Sequence, residues 1–224
     1  MCFSAEASFT GAACLAMIGT ATMKLPLSKK NKMWMTIPLF FAIQQFCEGV
    51  VWLGLRGSIP HSALTVLAKD LYLFFSLAFW LIWFPLSFLM AESSKDRQNI
   101  LKVVLAFGVV VTCINLTSYS IFDLSPSIKG YSIRYLTEAP LYKRVFYLTV
   151  IALPPLISSL KNMKIFGLLA ILSCVIAEYF YATAFTSVWC FLGSFVSAAL
   201  YLIARSNVEM EKVKIPVEEN LIHK

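Results

Sequence analysis

Apolar residues come in long blocks along this chain, separated by short polar connections. Seven blocks approach the ~20 residues that an α-helix needs to cross a bilayer. They lie at 8–23, 33–55, 64–91, 100–122, 145–160, 165–185 and 186–204. The pattern predicts an all-α polytopic membrane bundle of seven transmembrane helices over residues 1–204. A polar tail of mixed charge follows over 205–224 and is expected to be mobile. Between the sixth and seventh blocks there is room only for a tight turn around Ala184 to Thr186, which predicts a helical hairpin. The longest connection, Asp123 to Arg144, exceeds a simple turn and is expected to fold as an extracytoplasmic lid. Pro38, Pro85, Pro154 and Pro155 fall inside blocks, where kinks are tolerated if neighbours satisfy the freed carbonyls.

Composition changes the picture only by sharpening it. A hydrophobic share of 59% against 14% charged residues is outside the usual range of a soluble domain. The 18 Phe, 9 Tyr and 5 Trp suit a bilayer-facing surface with rings at its interfaces. The formal charge of +7 therefore reads as topology, because no basic stripe with interleaved aromatics points to nucleic acid. The expected partners are membrane lipids and a small ligand of unknown identity, with no nucleic acid.

Lys and Arg distribute unevenly between the two sides of the predicted bundle. One side holds 13 of them: Lys24, Lys29, Lys30, Lys32, Lys95, Arg97, Lys102, Lys161, Lys164, Arg205, Lys212, Lys214 and Lys224. The other holds 5, Arg56, Lys129, Arg134, Lys143 and Arg144, with Lys69 left near the start of the third block. The positive-inside rule then puts the N-terminus outside and the C-terminus in the cytoplasm of a multi-pass protein of the cell membrane. Glu6 precedes the first block and Lys24 follows it, the reverse of a cleaved signal peptide. The run Gly11 to Cys14 falls short of a lipoprotein cleavage site, since Gly11 stands where Leu is expected.

With that orientation, the unusual side chains converge on the outer half. Gln44, Gln45, Glu48 and Trp52 form one helical stripe in the second block. Lys69 and Asp70 open the third, Asn115, Thr117 and Tyr119 close the fourth, and Glu178 and Tyr179 close the sixth. Ser187, Trp189 and Cys190 open the seventh, and Cys2, Ser4 and Glu6 enter from outside. An ionisable group in hydrocarbon costs ~2.5–3.5 kcal/mol on insertion scales and so faces a cavity or a partner. Glu48 and Glu178 qualify. They are either interhelical glue or the carboxylates of an outward-open pocket that binds a cation or amine, or exchanges a proton. In the pocket reading Gln44, Glu48, Trp52, Glu178 and Trp189 are the ligand-binding set, and the two carboxylates share a proton.

The stripe Ser187, Cys190, Ser194, Ser197 and Tyr201, with Gly193 and Ala198, reads as close helix packing, as do Ser8, Gly11, Ala12 and Gly19. Of six cysteines, Cys14, Cys47, Cys113 and Cys174 lie within apolar blocks as small hydrophobes. Cys2 and Cys190 share the outer, oxidising face, which leaves open a disulfide, a reactive thiol beside a free α-amine or a purely structural role. A disulfide requires their Cα atoms within ~7 Å.

The start MCFSA, the segment IPLFFAIQQFCEGVVW and the segment FTSVWC together resemble a bacterial multipass membrane family with no assigned function. Its members begin Met-Cys-Phe or Trp-Ser-Ala. They resemble this chain in a Gln-x-x-x-Glu-x-x-x-Trp pattern, here Gln44, Glu48 and Trp52, and in a Ser-x-Trp-Cys, here Ser187, Trp189 and Cys190. The resemblance implies a pattern and no activity.

Better-known classes lack their required residues. The last block has no Lys for retinal, and His61 and His223 are too few for a zinc hydrolase. No Pro-Gln pair marks a sugar carrier, and the Asn115-Leu116-Thr117 sequon lies inside a block. No metal or cofactor is expected. Two functions remain: binding or carrying a small solute or lipid headgroup in the outward pocket, or acting as a membrane-embedded enzyme on lipid or lipid-linked substrate. In the second, Cys2 is the nucleophile and Glu48 or Glu178 the acid/base.

Overall fold

The structure, a computed structural model, describes residues 4–121, 125–135 and 140–222, with backbone only for 119–121 and 211–222. Among the described residues each of the seven apolar blocks is mostly helical, although the fifth outruns its helix, with residues 158–160 in the turn that follows. α1 (Ala5–Met23) is capped by Ser4, whose hydroxyl accepts from the Ala7 N–H at 3.1 Å. A 3-10 turn (Lys29–Asn31) and the short α2 (Lys32–Met35) lead into α3 (Ile37–Leu55), with Pro38 in the first turn, where its missing N–H costs no helical bond. α4 (Ala63–Phe74) passes through a π-helical segment, Phe75–Phe79, into α5 (Trp80–Ala91). α6 (Lys95–Ile121), α7 (Leu141–Ile157), α8 (Met163–Tyr181) and α9 (Phe185–Ile222) complete the helices. A 3-10 turn, Ala182–Ala184, joins α8 to α9. α9 continues past residue 204 to Ile222, and Asn207 ties it to the α7–α8 turn by donating to the Lys161 carbonyl at 3.2 Å.

The long connection holds the only strands among the described residues. β1 (Ser127–Lys129) and β2 (Ser132–Arg134) pair antiparallel, with Ile128 opposite Ile133. Gly130, at φ 62, supplies the positive φ of the two-residue turn. Ile133 and Tyr135 are buried, and the Tyr135 ring stacks on Tyr72 of α4 at 4.5 Å, which seats the hairpin on the bundle.

Four helical stretches are long and apolar enough to cross a membrane: Lys29–Leu55, Ala63–Ala91, Lys95–Ser118 and Met163–Met210. The last contains both α8 and α9, while α1 and α7 fall outside the group. Length and composition therefore support a membrane protein.

Close backbone approaches set the packing. A Cβ on Gly49 would stand 2.7 Å from the Phe9 ring, and one on Gly19 would stand 2.6 Å from Leu39, so α1 runs antiparallel along α3. The tightest fit is between α5 and α6. The π segment and Pro85 disturb the carbonyl ladder, because Pro85 has no N–H to offer the carbonyl of Leu81 four residues back. α6 answers with one face: Asn115 donates to the Leu77 carbonyl at 3.0 Å, Thr112 to the Ala78 carbonyl at 3.5 Å, and Gly108 leaves room for the Leu81 carbonyl.

Candidate functional site

The second-block stripe meets the middle of the α4–π–α5 rod. Gln44 spends its whole amide there: its Nε2 donates to Ser76 Oγ at 3.0 Å, and its Oε1 accepts from Trp80 Nε1 at 2.8 Å. Ser76 passes its hydroxyl hydrogen to the Tyr72 carbonyl at 2.9 Å. Its oxygen also lies 3.6 Å from Cys190 Sγ on α9. The single Ser76 hydrogen is already used, so the Cys190 thiol is the donor in that contact. Tyr72, Ser76 and Trp80 recur every four residues, which places them on one side of the rod. Trp80→Phe would strand the Gln44 carbonyl oxygen in a buried site. The expected loss is ~1–3 kcal/mol, read as a lowered thermal midpoint of the purified protein, and an unchanged midpoint would mean Gln44 finds another donor.

One turn further along α3, Glu48 is fully buried, and its Oε1 accepts from Ser187 Oγ of α9 at 2.6 Å. Gln45 is equally buried, and among the described residues both its amide atoms are without a hydrogen-bond partner. Among the described residues the buried Ser8 hydroxyl of α1 and Trp52 Nε1 of α3 are without a hydrogen-bond partner too. Gln45, Glu48 and Trp52 share one face at i, i+3 and i+7, and the Phe9–Gly49 contact brings Ser8 to the same level of α3. Orphaned polar groups in such a place call for water or a ligand. At the end of α3 next to the start of α1, Arg56 lies 5.0 Å over the Trp52 ring and 3.4 Å from the Glu6 carboxylate.

Glu178 is placed elsewhere. It pairs with Arg144 of α7, whose guanidinium also covers the Phe185 ring at 5.1 Å. In place of the carboxylate pair expected from depth alone, Glu48 has the Ser187 hydroxyl beside it and Glu178 has the Arg144 guanidinium. The reason is that depth sorts residues by level and leaves their facing undetermined. Trp189 also turns away from Glu48: its indole donates to Ser173 of α8 at 3.2 Å and meets the Tyr147 ring edge-on at 5.2 Å. It lines a cavity of about 40 Å³ together with Phe41, Trp80, Tyr147 and Cys190. That is room for only ~3 water-sized spheres of ~10–15 Å³. The expected ligand-binding set thus divides: Gln44, Glu48 and Trp52 lie on one helix, Glu178 sits at the α7–α8 contact and Trp189 at the cavity wall. Cys2 lies outside the described residues, and so does its expected approach to Cys190. Among the described residues no cluster of His, Cys, Asp and Glu is arranged to hold a metal.

Sequence reasoning missed Tyr72, Ser76 and Trp80, whose four-residue spacing was the available signal. It also missed Glu92, a buried carboxylate at the opposite end of the bundle.

A model of a family of unknown function, DUF6629, matches residues 1–214. No curated protein and no solved structure matches the chain.

Proposed function

Since the chain belongs to that family of unknown function, its own residues must carry the reading, and we propose that it is a multi-pass protein of the cell membrane that holds a small solute or a lipid headgroup at an outward-facing polar site. In this reading the seven apolar blocks all cross, with the N-terminus outside and the C-terminus in the cytoplasm. Its support is the 13 to 5 division of Lys and Arg and a helix for every block.

One observation carries the site: a fully buried carboxylate, Glu48, beside a buried amide, Gln45, whose nitrogen and oxygen both lack a hydrogen-bond partner among the described residues. Interhelical glue would use its hydrogen-bonding groups, as Gln44 does. Gln45 instead keeps one donor and one acceptor idle next to a carboxylate, a set that suits an ammonium or a hydroxyl-bearing group. The site is closed, so a ligand enters when the outer ends of α1 and α9 part from α3.

The test is a thermal-shift series on the purified protein with ethanolamine, phosphoethanolamine, amino acids and sugars, repeated on Glu48→Gln. At least one amine should raise the midpoint of the natural protein. The variant should keep its circular dichroism spectrum and bind that amine tenfold or more weakly, a loss of ~1.4 kcal/mol. If Glu48→Gln merely changes stability and no compound shifts the natural protein, Glu48 reverts to glue.

A further inference from the structure

The β1–β2 hairpin and the α8–α9 turn face one another across a cleft of about 490 Å³, a size within the ~300–1,000 Å³ range of small-molecule sites. The hairpin contributes Lys129, Tyr131 and Ser132, and the turn contributes Phe180, Tyr181 and Thr183. Three features give this cleft a chemistry.

The first is position. α8 and α9 form one of the stretches apolar enough to cross a membrane, so the turn between them lies at a membrane surface. The rings around the turn are open, with Tyr131 at 79%, Tyr179 at 81% and Phe180 at 68% exposure. Rings left this open are costly in water and favoured among lipid headgroups, where an amphipathic ring has an apolar and a wet side.

The second is charge. Lys129 makes no salt bridge among the described residues, whereas Arg56, Lys69 and Arg144 each have a carboxylate. The connection from Asp123 to Arg144 holds Lys129, Arg134, Lys143 and Arg144 against Asp123 and Glu138, an excess of two positive charges. The third is the donor set. A Lys ammonium is a mobile point charge with three hydrogens, and the Thr183 hydroxyl and Tyr131 phenol each add one. All of these are donors suited to phosphate oxygens.

We propose that this cleft binds the phosphate of an anionic lipid headgroup. Lys129 supplies the charge, Thr183 and Tyr131 donate to the phosphate oxygens, and the Phe180 ring lies under the glycerol and the first methylenes of the chain. The site does not involve Glu48 and rests only on this end of the bundle being at a membrane surface.

The full chain, reconstituted in phosphatidylcholine bilayers, is probed by electron paramagnetic resonance with spin-labelled phosphatidylglycerol and spin-labelled phosphatidylcholine. A single basic residue near the surface gives a preference of about fivefold for the anionic lipid. Lys129→Gln should reduce that preference to near one without changing the thermal midpoint, while Lys143→Gln, on the same connection, should leave most of it. Equal losses in the two variants would mean a diffuse field and no cleft, which overturns the proposal, as would an absence of preference in the natural protein. Competition by inorganic phosphate as strong as that by the lipid would give the cleft to a water-soluble phosphate ester and overturn the lipid assignment. Glu48→Gln should leave the preference intact, so the outcome here is independent of the polar site within the bundle.

Discussion

Gly108→Ala is expected to lower the stability of the folded chain by ~3 kcal/mol or more, at the top of the range for overpacking. The added Cβ would stand 2.2 Å from the Leu81 carbonyl oxygen. That oxygen belongs to backbone and cannot swing aside as a side chain would. Separation of α6 from α5 would also stretch the bonds of Thr112 and Asn115 to the Ala78 and Leu77 carbonyls. The check is the unfolding midpoint in detergent, measured beside Gly11→Ala. Nothing lies within 4 Å of a Cβ at Gly11, and alanine there gains up to ~1 kcal/mol of helix propensity. Equal midpoints for the two variants would show that α6 shifts freely, and the carbonyl fit would be wrong.

Glu92→Ala should cost ~3 kcal/mol or more, since hydrogen bonds to a charged group contribute ~1.5–3 kcal/mol each and are not fully additive. Glu92 is buried between the α5–α6 and α7–α8 connections. Its Oε1 accepts from the N–H groups of Ser93 and Ser94 at 2.9 and 3.0 Å and from the Ser159 hydroxyl at 2.8 Å. Its Oε2 accepts from the Ser159 N–H at 2.8 Å. One carboxylate thereby satisfies the start of α6 and pins a turn 67 residues away in sequence.

Burial by itself would push the Glu92 pKa up. The bonds from Ser94, Ser159 and Ser93 outweigh burial and hold the pKa below the ordinary 4.5. A carboxyl depressed on folding adds stability that is fully present above 4.5 and is lost as pH falls through the lower folded value. The natural protein should therefore lose midpoint on acidification below pH 4.5, and Glu92→Gln should flatten that part of the curve. A variant that titrates like the natural protein would place the acid sensitivity on another group.

The sequence located the helices well because each apolar block reports its own burial or exposure to lipid, residue by residue. The hairpin turn at 184 and the folded piece within the 123–144 connection were legible for the same reason, since both follow from length and local composition. The polar site was legible in part. Gln44 and Glu48 stood out because a polar group in an apolar block is conspicuous, and Ser187 and Cys190 because they open the last block. Ser76 was hidden, because a serine among Phe and Leu reads as a small packing residue until its three contacts are seen. The unpartnered amide of Gln45 had no signature in sequence at all, since a satisfied and an orphaned glutamine are the same letter.

What the sequence determined by itself was therefore the one-dimensional part: which segments are helical, and that the chain is built for a membrane. Tertiary structure alone decided which way each of them faces. Gln44 and Gln45 are adjacent in sequence and equally buried, yet one is fully bonded and the other is bonded to nothing. Neighbouring residues on a helix point ~100° apart, so one meets Ser76 and Trp80 while the other turns elsewhere. Glu178 and Glu48, expected at similar depth, have different neighbours, Arg144 and Ser187. Position along a helix is a one-dimensional property, whereas a partner depends on the rotation of two helices about their axes, and that rotation is set by packing between helices at places such as Gly108, Gly49 and Gly19.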